Sequence, residues 1–371
     1  MATNTETSPH PLYVRLPLIL VGILTLFYIL YVGRIIIVPI VFAALIAILL
    51  NPLVNYLNDH GVNRILGITF SVLLTIAIVA GLIAFIFWQA KSFSDTFSQL
   101  EERFDYFYNE SLTWTSETFN IAIKDIDAWV NQIRRQVTAN SGMLIGRTIT
   151  TISGMLAFVF LLPVYIFMIL FYKTLLLDFI ARLFRREQHD AVLEILNEIK
   201  FIIQSYLGGL LLETAIVAVL NSIGFLVVGL QYAILLGIIG AILNLIPYIG
   251  GLVAISLPMI LALTTESVST VVIVAIIYLV VQFIDNNIIV PRIVASRVRL
   301  NALVSIIAVL VGGAIWGIMG MFLAIPLVAI TKVIFDRVEG LQPWGYLLGD
   351  DMPPITKQIF RPLRKRARKA S

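Results

Sequence analysis

Residues 243–251 read LNLIPYIGG: an asparagine, a proline and two adjacent glycines in the middle of a long apolar tract. Proline disfavours helix in the residue before it, and a glycine pair permits a tight backbone reversal. The apolar runs on either side, 233–246 and 249–263, are roughly 14 and 15 residues long. As helices they would rise only about 21–22 Å, short of the ~30 Å of hydrocarbon in a bilayer. Two short helices meeting at such a tip predict a hairpin that enters and leaves the membrane on one side. Its tip holds Asn244, Pro247, Gly250 and Gly251.

The tract 302–334 obeys the same logic. It is roughly 33 residues long, too short for two full crossings. GGAIWGIMG at 312–320 breaks its centre, and AIPLVAI around Pro326 starts the return limb. Gly312, Gly313, Gly317 and Gly320 mark the tip of a second re-entrant hairpin.

The rest of the chain supplies longer spans. Residues 16–32 and 35–50 form an apolar pair joined by a turn at Gly33-Arg34, and 65–90, 146–172, 201–230 and 268–290 are each long enough to cross. Two polar stretches interrupt them. Residues 91–145 carry Phe97, Leu100, Phe104 and Phe107 at helical spacing, and 174–200 alternate charge with Val192, Leu193, Leu196 and Ile199. Both patterns predict amphipathic helices.

Basic residues favour cytoplasmic loops, so charge tests the two hairpins. With the N-terminus inside, Arg64 falls inside, the acid-rich 91–145 outside, and Arg182, Arg185, Arg186 and Lys200 inside. Arg292, Arg297 and Arg299 then also fall inside, as does the basic tail RPLRKRARK. A single span over 302–334 would put that tail outside, against the rule. The predicted fold is an all-α integral membrane protein, a multi-span helical bundle with two re-entrant hairpins in an inverted repeat. Its expected parts are a three-span N-terminal scaffold (1–90), an extracytoplasmic amphipathic segment (91–145), and a fourth span with a cytoplasmic amphipathic helix (146–200). A transport unit of two inverted span-plus-hairpin repeats (201–335) and a basic cytoplasmic tail (336–371) complete it.

Composition agrees. Of 371 residues, 59% are hydrophobic and 13% charged, about half the charge of a soluble domain. There is no cysteine, which excludes disulfides and thiolate chemistry, and His10, His60 and His189 all lie in polar stretches. No phosphate-binding loop, HExxH motif or GxSxG elbow occurs, which argues against ATP hydrolysis and intramembrane proteolysis by this chain. The expectation is a non-enzymatic protein without a cofactor or metal.

Inverted repeats with broken helices are the signature of secondary transporters, because irregular backbone at membrane depth must face protein or a watery cavity. Tips entering from opposite sides predict a substrate site lined by Asn244, Pro247, Gly250, Gly251, Gly312, Gly313, Gly317 and Gly320. Glu213, inside GGLLLETAIVA, is a costly carboxylate at membrane depth and a candidate ion-coupling group; the plainer reading is an acid hydrogen-bonded between helices. QFIDNNIIVPRI places Gln282, Asp285, Asn286 and Asn287 at the inner end of the sixth span. Their oxygens suit a cation or a polar solute; the plainer reading is a capped, solvated helix end before Pro291. The basic tail fits a topology determinant touching anionic lipid rather than a nucleic-acid partner.

NLIPYIGG, followed by DNNIIVPRIVASRVRLNALVSIIAVLVGGAIWGIMGMFLAIPLVAI, resembles the AI-2E family of transporters, most strongly over 200–335. The resemblance implies a multi-pass protein of the bacterial inner membrane and a homo-oligomer. Family members are linked to export of autoinducer-2, a small polar quorum-sensing molecule, and others to sodium/proton exchange. The leading expectation is alternating-access export of a small polar solute, with Na+ or H+ as candidate coupling ions. A sodium/proton antiporter is the alternative, and a non-transporting membrane scaffold the alternative of another class.

Overall fold

The computed structural model describes residues 11–89, 158–246, 249–265, 268–294 and 299–350. The segment 91–145, the first part of the fourth span, Pro247, Arg297 and the basic tail lie outside these. Among the described residues every regular element is helical.

The helices follow the apolar runs. α1 is Leu12–Val32, α2 Arg34–Asp59 and α3 Arg64–Gln89. α4, Phe158–Phe171, bends by 64° into α5, Lys173–Leu183. α6 then runs unbroken from His189 to Val227. The expected division at residue 200 therefore falls inside one helix: the amphipathic stretch and the fifth span are continuous. At 1.5 Å per residue α6 is about 58 Å long, so nearly half of it projects beyond the hydrocarbon.

α7, Ala233–Asn244, and α8, Ile249–Thr265, are two short helices that pack on each other as the first hairpin. α9, Val268–Ile284, does not end at the acidic-amide cluster. It widens into a π-helix over Asp285–Val294 that carries Pro291. In an α-helix the proline ring would press on the carbonyl four residues back, and the wider coil avoids that contact. The second hairpin is α10, Ala302–Trp316, and α11, Ile318–Arg337; the short α12, Gln342–Leu348, follows.

The chain reverses at Gly317, whose φ of +65° favours glycine. Both ends of this hairpin lie at one end of the molecule. Asn301 caps α10 by accepting from the Val304 amide (2.8 Å) and donates its own amide to the carbonyls of Leu347 (2.6 Å) and Gly349 (3.1 Å). Arg337, at the close of α11, pairs with Glu194 (3.0 Å) and Glu198 on the projecting part of α6. α10 has 15 residues and is too short to cross, whereas α11 has 20 and is long enough.

α6 is the shared wall. On one side Ile203 and Leu207 pack with Val38 and Leu45 of α2 and Leu323 of α11. Farther along, Phe225 packs with Leu236, Leu261, Val274 and Tyr278 from α7, α8 and α9. A separate core joins α2, α3 and α4 through Ala47, Ile68, Val72 and Ile166. Small residues bring the walls together. A Cβ on Gly237 would sit 2.2 Å from Ser222 Oγ, and one on Gly209 2.7 Å from the Ile293 carbonyl oxygen. Glycine at these positions lets α6 approach α7 and the π-helix closely. Large apolar side chains stay outside, including Phe160 at 73% and Val227 at 80% exposure. So wide an apolar surface requires lipid or a partner as its solvent, and five of the helices are long and apolar enough to cross a bilayer, or six with the bent α4–α5 pair.

Candidate functional site

A cavity of about 770 Å³ opens between α6, the first hairpin, α9 with its π extension, and the second hairpin. Each wall contributes polar groups for a local reason. On α6, Tyr206, Leu210 and Glu213 share one face at helical spacing and all line it. On α9 and the start of its π extension, Tyr278, Gln282 and Asp285 do the same. α7 ends at Asn244, which is thereby free to reach across to α9.

The polar groups form a chain. The Asn244 amide donates to Asp285 Oδ2 at 3.0 Å, and the Gln282 amide donates to Asn244 Oδ1 at 3.4 Å. Tyr278 donates its hydroxyl to the Gly251 carbonyl at 3.0 Å, tying the first hairpin to α9. Asp285 is 1% exposed and Glu213 6%. Asp285 Oδ1 is buried without a hydrogen-bond partner among the described residues. Buried carboxylate oxygens are normally paired, so this one marks an unfilled acceptor. Among the described residues, no Lys, Arg or His lines the cavity. Two carboxylates, three amides and two phenols can bind a cation or hydrogen-bond a hydroxylated neutral solute; an anion would meet like charge.

The cavity gathers Glu213, Asn244, Gly251, Gln282, Asp285 and Asn286. It does not gather Asn287, which is exposed and donates its amide to the Phe283 carbonyl. Gly250 is buried at the crossing of α7 and α8, where a Cβ would lie 1.7 Å from the Leu243 carbonyl oxygen. The second tip behaves likewise. Gly312 and Gly320 oppose each other, a Cβ on either falling within 2.4 Å of the other's carbonyl oxygen. Gly313 lies against Met321, Gly317 makes the turn, and none of the four lines the cavity. The second hairpin instead offers Ser305 of α10 and Ile325 of α11. These glycines form the hairpin rather than the walls, because close helix crossing leaves no surface for a solute.

Sequence reading missed Tyr206 and Tyr278. Each lies seven residues from a flagged acid, and the helical face through Glu213 or Asp285 would have found it. Tyr278→Phe is expected to lower stability by about 1 kcal/mol, the usual net value of one hydrogen bond. Thermal unfolding in mild detergent against the parent reads this, and an unchanged midpoint would count against the Tyr278–Gly251 tether.

Broken helices around a buried acidic cavity, in a bundle jacketed by apolar side chains, define a polytopic membrane transporter. The sequence model of the AI-2E family transporters matches residues 18–340, and the chain belongs to that family. It is 28% identical to the putative transport protein YrrI of Bacillus subtilis, over 80% of this chain and 85% of that one. It is 26% identical to the putative transport protein YhhT of Escherichia coli K12, covering 86% and 89%. The AI-2 transport protein TqsA of the same strain is also 26% identical, over 85% and 90%.

Proposed function

We propose that this transporter exports a small polar solute, autoinducer-2 or a molecule like it, across the bacterial inner membrane by alternating access. The observation that carries the reading is the cavity, acidic and amide-rich, walled by two helix hairpins and, among the described residues, free of basic side chains. TqsA, named as an AI-2 transport protein, aligns over most of its length. α6 with the first hairpin and α9 with the second are the two inverted repeats, each hairpin dipping into the membrane from its own side. The two termini lie in the cytoplasm, and subunits associate as a homo-oligomer. Solute enters between Asp285, Asn244 and Glu213 from one side, and rocking of the hairpins against α6 exposes it to the other.

A sodium/proton antiporter is the second reading, favoured by the pair of buried carboxylates, Glu213 and Asp285. Proteoliposomes separate the two. Under imposed proton or sodium gradients, the exporter moves labelled solute, and the antiporter exchanges sodium for protons with no solute present. Glu213→Gln is expected to slow whichever flux is real at least tenfold. Flux of neither kind above protein-free liposomes would overturn both readings and leave the scaffold role.

A further inference from the structure

A second polar region lies where α2 and α4 end and α3 begins. Arg64 opens α3 and bonds to both sides of the α4–α5 bend, donating to the carbonyls of Leu170 (3.0 Å) and Phe171 (3.3 Å) and to Thr174 Oγ1 (3.3 Å). These bonds engage two of the guanidinium nitrogens and leave donors over. Lys173, first residue of α5, donates to Asn51 Oδ1 at 2.9 Å. Its partner is neutral, so its charge is not cancelled there.

Two cavities meet at this point. A polar one of about 240 Å³ is lined by Arg64, Lys173, Thr174, Asn51, Asn55 and Asn58. A mostly apolar one of about 300 Å³ shares Asn51, Leu170 and Lys173 with it. It runs along Leu177, Leu193, Leu196 and Ile199, with Lys200 also on its wall. No described acid lines either cavity. Lys173 is on the wall of both cavities, Arg64 on that of the polar one and Lys200 on that of the apolar one, so three cations stand together with no described carboxylate lining either. α5 begins here with no acid in its first turn and no side-chain cap, adding its positive end. The depth is that of headgroups, because Arg64 and Lys173 sit at the ends of spans.

We propose that this junction is a binding site for one anionic phospholipid, its phosphate held by Arg64, Lys173 and Lys200 and the start of an acyl chain in the slot beside Leu196. A polar pocket continuous with an apolar slot fits an amphiphile better than free phosphate, which would leave the slot unused. The site shares no lining residue with the transport cavity and stands without the proposed substrate.

The test titrates delipidated full-length protein in detergent with phosphatidylglycerol, phosphatidylcholine or inorganic phosphate, counting bound lipid by native mass spectrometry. One phosphatidylglycerol is expected to be retained, at least tenfold more tightly than phosphatidylcholine, with no displacement by millimolar phosphate. Lys200→Gln, which leaves the Lys173–Asn51 bond intact, is expected to weaken retention about fivefold, the effect of one interfacial charge. Lys173→Arg retains binding. Arg182→Gln, at an exposed residue paired with Asp178, leaves it unchanged. Equal retention of the two lipids, displacement by phosphate alone, or equal weakening by Arg182→Gln and Lys200→Gln would each overturn the proposal.

Discussion

Asp285→Asn protein is expected to insert and melt like the parent while its solute flux falls roughly ten- to a hundredfold. The amide has nearly the volume of the carboxylate, and the side chain is 1% exposed, so packing hardly changes. What changes is charge. Asp285 accepts from Asn244 through Oδ2 and presents a buried Oδ1 that has no partner among the described residues. A hydrogen bond to a charged group contributes about 1.5–3 kcal/mol, and each 1.4 kcal/mol is about tenfold in binding. An asparagine also sets an NH2 beside the acceptor positions that a cation or solute hydroxyl would use. Counterflow of labelled solute in proteoliposomes is the measurement. Parental flux would remove Asp285 from the route, and parental flux with Glu213→Gln as well would remove the cavity.

Gly250→Ala is expected to destabilise the protein by roughly 3 kcal/mol or more, the upper end of overpacking costs. Its Cβ would fall 1.7 Å from the Leu243 carbonyl oxygen, which is backbone and cannot swing aside. Either α8 moves off α7 or the crossing opens. Both disturb Asn244, one residue beyond Leu243, and with it the bond to Asp285. The adjacent Gly251→Ala is the internal control. Its Cβ would meet the Tyr278 hydroxyl oxygen at 3.6 Å, an ordinary contact, so its unfolding midpoint stays near the parent's. Equal midpoints for both variants would mean that α7 and α8 do not cross so closely.

These two glycines show how far a sequence reading reaches. Both belong to the same tip and look alike in LNLIPYIGG. One is the crossing and the other faces the cavity, a difference of one residue on a helix, or about 100° of rotation. Glycine at a hairpin reports that the backbone turns or approaches closely; it does not report what it approaches. The same holds for Gly312 and Gly320, which face each other across the second hairpin and not a solute.

The helical, membrane-spanning character of the chain and its breaks near 247 and 317 were legible in the sequence, because hydrocarbon thickness sets span length and each break carries glycine. The buried acids were legible as well, because a carboxylate in an apolar run is costly enough to need a reason. The sequence could not show that α6 continues through residue 200. Helix continuity there depends on Ile203 and Leu207 packing against α2 and α11, while the polar stretch before them is compatible with a break. Nor could it show that Tyr206, Asn244, Tyr278 and Asp285 meet. They come from three helices far apart along the chain, and only the close approach of those helices brings them to one cavity. Local chemistry fixes where a chain may bend and which groups resist burial; which of those groups share a space is decided by how the helices pack.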